Sequence, residues 1–244
     1  MLNLLRIFLG LTLLWLQGCQ QKTSLNSESA PWTSKPISAA IYNTQLGLAY
    51  LNQGNRSRAK HKLLKALELD PKSIEANAAM AYFQESSGNL EEAQKYYIKV
   101  LSIVPKAGAQ LNNYGSYLCR HRHYKEAEGY FLAAVKDVHY INTAGAYENA
   151  GLCAAAIPDY PKARHYFIQA LNQDPQRKQS LYELVKIELE QNHTEKALAL
   201  MQNYPKLSFN DPALLKLAIK ASHRLGKTKL EKTYKISLNN LTNF

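Results

Sequence analysis

The stretch GLAYLNQGNRSRAKHKLLKALELDP, Gly47 to Pro71, is followed by AYFQESSGNLEEAQKYYIKVLSIVP, Ala81 to Pro105. Laid one over the other, Gly54 meets Gly88, Ala59 meets Ala93, Leu63 meets Tyr97 and Pro71 meets Pro105, each 34 residues apart. The frame continues through Gly115, Ala127, Phe131 and Ala134. After a two-residue insertion it returns as Gly151, Ala163, Phe167, Ala170 and Pro175. Ala197 and Met201 mark a fifth unit. A sixth fades after Gly226, because Glu231 and Lys235 stand at places that should be apolar. Self-similarity at a period of this length is the mark of a repeat array.

Each recurring position has a steric reason. A small residue at the eighth place (Gly47, Ala81, Gly115, Gly151) lets the first helix of a repeat, helix A, approach the second, helix B. Alanine at the twentieth place (Ala59, Ala93, Ala127, Ala163, Ala197) does the same from the B side. The large residue four places later fills the space between repeats, and a later proline ends helix B. Most of the sixteen tyrosines, Tyr50, Tyr97 and Tyr166 among them, fall inside this frame and read as packing residues. The pattern resembles the tetratricopeptide repeat, a helix-turn-helix unit. That resemblance implies an all-α superhelical solenoid of about six repeats, over 40–73, 74–107, 108–141, 144–177, 178–211 and 212–244. The last of these reads as a degenerate, charged cap, since nothing stacks beyond it.

Upstream of the repeats, Arg6 precedes a short apolar run, Ile7 to Leu16. A membrane-spanning helix needs roughly 20 apolar residues, so the run is too short to span. A basic start, a short apolar run and a small residue before a cut describe an export signal. Leu16-Gln17-Gly18-Cys19 resembles a bacterial lipobox, with Gln17 in place of the usual small or branched residue. The expectation is a lipoprotein signal peptide over 1–18 and acylation of Cys19. More than one acyl chain gives durable anchoring. Gln20 after the cysteine, where Asp would retain a lipoprotein at the inner membrane, is similar to the outer-membrane sorting pattern. Residues 19–38, rich in Ser, Thr, Asn and Pro, read as a flexible tether. Trp32 within it is expected to lie on the first helix of the folded domain.

The chain has 244 residues and a formal net charge of +11, which draws it toward anionic partners without choosing among them. No HExxH, GxSxG, P-loop or paired-cysteine motif occurs. The histidines are scattered, and the one close pair, His121 and His123, falls in a turn between helices, where a solvated turn is a simpler reading than a metal site. The chain therefore reads as a non-enzyme without metal or cofactor, whose partners are proteins and a membrane rather than nucleic acid or a small-molecule substrate.

Helix A lines the inner groove of such arrays. In the first two repeats this places Ile41, Thr44, Leu48, Leu51, Ala78 and Tyr82 there, beside Glu75 and Glu85. The surface is substantially apolar and suits an extended or helical peptide with spaced hydrophobic side chains. Thr44 and Leu48 stand where a carboxylate-clamp subtype needs Lys and Asn, so that subtype is excluded. Repeat three turns Asn112, Ser116 and Arg120 to the groove, either as a capping and solvated set or as a polar contact patch for a partner backbone. Cys119 and Cys153 lie on successive A helices. Export permits a disulfide between them, and two small buried thiols are the other reading.

A lipobox, a tether and about six such repeats, with NNYGSYLC (Asn112 to Cys119) and YKEAE (Tyr124 to Glu128) in the third, resemble the type IV pilus biogenesis lipoproteins of the PilW/PilF family. The resemblance implies a pilotin: an outer-membrane lipoprotein facing the periplasm, anchored at Cys19. Such an adaptor binds secretin subunits and promotes their localisation and multimerisation. A general periplasmic scaffold that gathers envelope or peptidoglycan enzymes is the other function compatible with these residues.

Overall fold

A computed structural model of the chain describes residues 38–242. The expected signal peptide, Cys19, Trp32 and the tether up to residue 37 lie outside the described residues. The described part holds thirteen helices. Six A/B pairs follow the 34-residue frame: α1 (Ala39–Asn52) with α2 (Arg56–Leu69), α3 (Ile74–Ser86) with α4 (Leu90–Ile103), and α5 (Gly108–Arg120) with α6 (Tyr124–Ala134). Next come α7 (Thr143–Ala156) with α8 (Tyr160–Gln173), α9 (Lys178–Glu190) with α10 (Thr194–Asn203), and α12 (Pro212–Arg224) with α13 (Thr228–Thr242). A short helix, α11 (Pro205–Phe209), is inserted before the last pair. The fold is an all-α tetratricopeptide-repeat solenoid.

Local chemistry sets the helix ends. Ser38 and Ser73 accept the Ile41 and Ala76 amides at 3.2 and 3.1 Å, opening α1 and α3. Asn142, just after the two-residue insertion, opens α7 by accepting from the Gly145 amide at 3.2 Å. Pro71, Pro105 and Pro175 each follow helices that stop two residues earlier, at Leu69, Ile103 and Gln173. Within each pair the small residue at the eighth place permits close approach. A Cβ on Gly47 would come within 2.7 Å of the Leu63 side chain, and one on Gly151 within 2.6 Å of Phe167.

Alanines of the B helices (Ala59, Ala93, Ala127, Ala163, Ala197) are fully buried, as are Leu63, Phe131, Phe167 and Met201 four places on. Tyr97 and Tyr166 are buried in this frame, and Tyr50 lies half-buried under the Arg58 guanidinium, 5.6 Å from the ring centroid. The core divides. Ala59, Leu63, Ala79, Met80 and Phe83 form an N-terminal cluster, while a continuous cluster runs from Ala81 through Tyr234. Among the described residues the core runs from Ala40 to Tyr234, and residues from Ser38 onward are one compact unit.

The sixth repeat, expected to be a degenerate, charged cap, ends in a continuous helix. α13 is fifteen residues long and buries Tyr234. That ring, one residue before Lys235, fills the place the frame reserves for an apolar side chain and packs on Phe209 of α11 at 5.2 Å. The Glu231 side chain is mostly covered, pairs with the more exposed Lys235, and is joined by His223 at 3.2 Å.

Candidate functional site

The A helices of repeats one to three converge on a crevice of 400 Å³. Its walls are Ile41, Thr44, Gln45 and Leu48 from α1, Glu75, Ala78, Ala79 and Tyr82 from α3, and Gln110 from α5. Six of the residues named from the sequence, Ile41, Thr44, Leu48, Glu75, Ala78 and Tyr82, therefore meet in one place. Leu51 is placed elsewhere: it is half-buried against the N-terminal core cluster. Thr44 is buried, and its hydroxyl donates to the Ala40 carbonyl at 2.9 Å, so its own polarity is satisfied inside α1. Tyr82 is 49% exposed and Ile41 36%, apolar surface left open to a partner.

Three wall residues, Gln45, Ala79 and Gln110, were not expected. Gln45 lies four residues after Ile41 and three before Leu48, so the helical period itself puts it on that face. Ile41, Leu48, Ala78 and Tyr82 offer apolar surface, Gln45 and Gln110 offer amides to a peptide backbone, and Glu75 supplies a carboxylate at the rim.

The polar residues of repeat three do something else. Asn112 Oδ1 and Ser116 Oγ both accept from Asn149 Nδ2, at 3.0 and 3.3 Å, which joins α5 to α7. Arg120 makes a bidentate pair with Glu85, Nε to Oε1 at 2.8 Å and Nη2 to Oε2 at 2.9 Å, which joins α5 to α3. Tyr97 also donates to Glu85 at 3.1 Å, and His121 Nε2 lies 3.1 Å from the same carboxylate. His121 is thus a bridging residue rather than part of a solvated turn, whereas His123 is exposed.

Burial pushes the Glu85 carboxyl up, but the Arg120 pair and the His121 and Tyr97 hydrogen bonds outweigh it and hold the group below its ordinary value. Burial first, then the Glu85 charge, pushes the Tyr97 phenol up. Among the described residues no group of three or more His, Cys, Asp or Glu could hold a metal ion, and no helix is long and apolar enough to cross a membrane.

Cys119 on α5 and Cys153 on α7 are linked as a disulfide, with Cα atoms 5.8 Å apart. Beside it, α6, α7 and α8 enclose a second cavity of 280 Å³, walled by residues including Tyr124, Ile157 and Tyr166.

Comparison with known proteins assigns the fold a family. The tetratricopeptide repeat family matches residues 40–73, 62–95 and 159–220. The type IV pilus assembly protein PilF of Pseudomonas aeruginosa is 37% identical over 127 residues, 52% of this chain and 50% of PilF. The solved structure of P. aeruginosa PilF superposes with a TM-score of 0.69 at 27% identity, covering 84% of this chain and 92% of that one. This chain is homologous to PilF and shares the tetratricopeptide-repeat fold of PilF and PilW. PilW, described as a widely conserved type IV pilus biogenesis factor, superposes with a TM-score of 0.68 at 25% identity over 85% of this chain and 95% of its own. An uncharacterized Haemophilus influenzae protein is 31% identical over 135 residues, 55% of this chain and 70% of that protein. The aligned stretch spans about half the length of the curated PilF sequence.

Proposed function

We propose that this PilF/PilW homologue is a lipid-anchored, non-catalytic pilotin of the outer membrane. It binds secretin subunits of the type IV pilus through the groove of its first repeats and promotes their localisation and multimerisation. The observation that carries this reading is the crevice formed by Ile41, Thr44, Leu48, Ala78 and Tyr82, an open apolar surface rimmed by amides in a chain of this family. A secretin segment with spaced apolar side chains fits that chemistry. Acylation at Cys19 would supply the membrane address, and the residues up to Ser38 the reach.

Two substitutions separate grip from address. Leu48→Arg with Tyr82→Arg is expected to leave the protein at the membrane but abolish secretin capture and secretin multimers in envelope fractions. Cys19→Ser is expected to leave secretin monomers in the inner membrane, and normal secretin multimers in that strain would overturn the pilotin reading. If crosslinking through Tyr82 in cells traps peptidoglycan hydrolases instead of secretin, the protein is a general envelope scaffold.

A further inference from the structure

The positive charge of the chain is concentrated. Residues 40–73 carry six Lys/Arg against Glu68 and Asp70, and residues 212–244 carry seven against Glu231. The four repeats between them hold fourteen Lys/Arg and fifteen Asp/Glu, so they are close to neutral. Charge placed at the two ends of a solenoid serves solubility poorly and local recognition well. In the first repeat it falls almost wholly on α2, the outer helix.

Two of the α2 cations are occupied. Arg56 donates to Ser87 Oγ at 2.8 Å and to the Ser86 carbonyl, and Lys65 pairs with Glu68 at 2.9 Å. Arg58, Lys60 and Lys62 have no carboxylate partner among the described residues. Tyr50, Ser57, Arg58, His61 and Lys62 wall a shallow crevice of 440 Å³. A guanidinium, an ammonium and a hydroxyl around one opening are the donors that recognise a phosphate monoanion or diester. Leu64, 48% exposed, stands one turn after Lys60 and His61 and adds an apolar residue beside the cations. Lys60 and Leu64 share one edge of the outer surface of this helix and Arg58 and Lys62 the other, so cations and an exposed aliphatic side chain line it together, the composition of an interfacial membrane contact.

We propose that the outer face of α2 docks on anionic phospholipid, its crevice taking a headgroup phosphate between Arg58, Lys62 and Ser57. The choice of a lipid surface over nucleic acid or an acidic protein follows from position, and for that step it rests on the reading of Cys19 as the anchor. Eighteen residues lie between Cys19 and Ser38, and a chain of that length spans at most roughly 65 Å even when fully extended. The first repeat is then held close to the bilayer, and α2 is the cationic surface nearest it in the chain. Docking there turns the outer helix to the lipid and leaves the inner groove, formed by α1, α3 and α5, free for its peptide.

The repeat domain from Ser38 to Phe244, which carries neither the acyl site nor the apolar run, provides the test. It is expected to co-sediment with phosphatidylcholine vesicles containing phosphatidylglycerol, and not with phosphatidylcholine alone. The binding should disappear at high salt, as headgroup electrostatics require. Neutralising three cations (Arg58→Ala, Lys60→Ala, Lys62→Ala) should weaken it by about 100-fold, given the contribution of each surface cation to anionic-membrane binding. The matched triple on the last repeat (Lys227→Ala, Lys229→Ala, Lys232→Ala) should retain it. All the replaced positions are exposed except the half-buried Lys62, and circular dichroism checks that both triples stay folded. Equal loss in the two triples would mean diffuse charge and overturn the site. Binding to both vesicle types, or to RNA in preference to vesicles, would overturn it as well. Failure here with Cys19 acylated in cells removes the docking face and leaves the anchor standing. Vesicle binding by the domain with Cys19 unmodified in cells does the reverse.

Discussion

The A helices of repeats one and two and those of repeats three and four turn the same positions toward the inner face, yet they use them differently. In the first pair the inward side chains are Ile41, Leu48, Ala78 and Tyr82, whose surface remains open in a crevice. In the second pair Asn112 and Ser116 are joined through Asn149, and Cys119 is joined to Cys153. One half of the inner face stays open, and the other is bound to itself. The lesson is that a polar residue on a repeat's inner face is not by itself a contact patch. A nearby helix satisfies it first when the geometry allows, because a half-buried polar group left unpaired is costly.

Core and groove should separate most sharply under truncation. Phe131→Ala in repeat three, at a ring 1% exposed, is expected to cost about 4 kcal/mol in urea unfolding. Tyr82→Ala in the groove, at a ring 49% exposed, should cost less than about 1 kcal/mol. Comparable losses at the two sites would mean that Tyr82 is a packing residue.

The next effect concerns the covalent link. Removing the Cys119–Cys153 bridge, which spans 34 residues, should lower stability by about 3–4 kcal/mol through the unfolded chain's regained freedom. Thermal unfolding with and without reductant measures this. Reductant should destabilise the unsubstituted protein and leave Cys153→Ser unaffected. Peptide capture at the first crevice should survive in the variant below its melting point, since that crevice is built from α1, α3 and α5.

A smaller effect lies where the two halves meet. The folded value of Glu85 is below its ordinary value of 4.5. Its contribution is therefore present above about pH 4.5 and is lost as pH falls through the folded value. Arg120→Ala should cost on the order of 1 kcal/mol at neutral pH, because Arg120 is half exposed and two other partners remain on Glu85. Glu85→Gln should flatten the acid limb of the stability curve, which a pH series of denaturant midpoints reads directly. An acid limb of unchanged slope would show that the carboxylate is not the group responsible.

The smallest change is at Arg122, which holds φ +67° where repeats one and two place Gly54 and Gly88. A left-handed conformation is unfavourable for a residue with a Cβ. Arg122→Gly should raise the unfolding free energy by about 0.5 kcal/mol, the steric gain less the glycine entropy cost, read as a higher denaturant midpoint. A loss would mean that the Arg122 side chain makes a contact outweighing the strain.

The extent to which the site was legible follows from the distances involved. Ile41, Thr44, Leu48, Ala78 and Tyr82 were found because a 34-residue frame and a helical period together decide which side chains share an inner face. Gln45 was within reach of the same logic. Leu51 was misplaced toward the groove because a face of a helix is wider than a crevice, and packing against Met80 and Phe83 decides which edge is covered. The roles of Asn112, Ser116 and Arg120 were not legible. Their partners Asn149 and Glu85 lie 33 to 37 residues away on other helices, and a small change in stagger would leave them apart.

The end of the chain makes the same division. The amino-acid sequence alone determined the period, the helix pairs, the small residues at close approach and the prolines that follow the B helices of repeats one, two and four, since all of these are local sterics recurring along the chain. Only the tertiary structure decided that Tyr234 rather than Lys235 faces inward, that α11 carries Phe209 under it, and which inner-face residues remain open. Those outcomes depend on the rotation and stagger of one helix against another. Burial of a whole surface sets both, and no single residue encodes them.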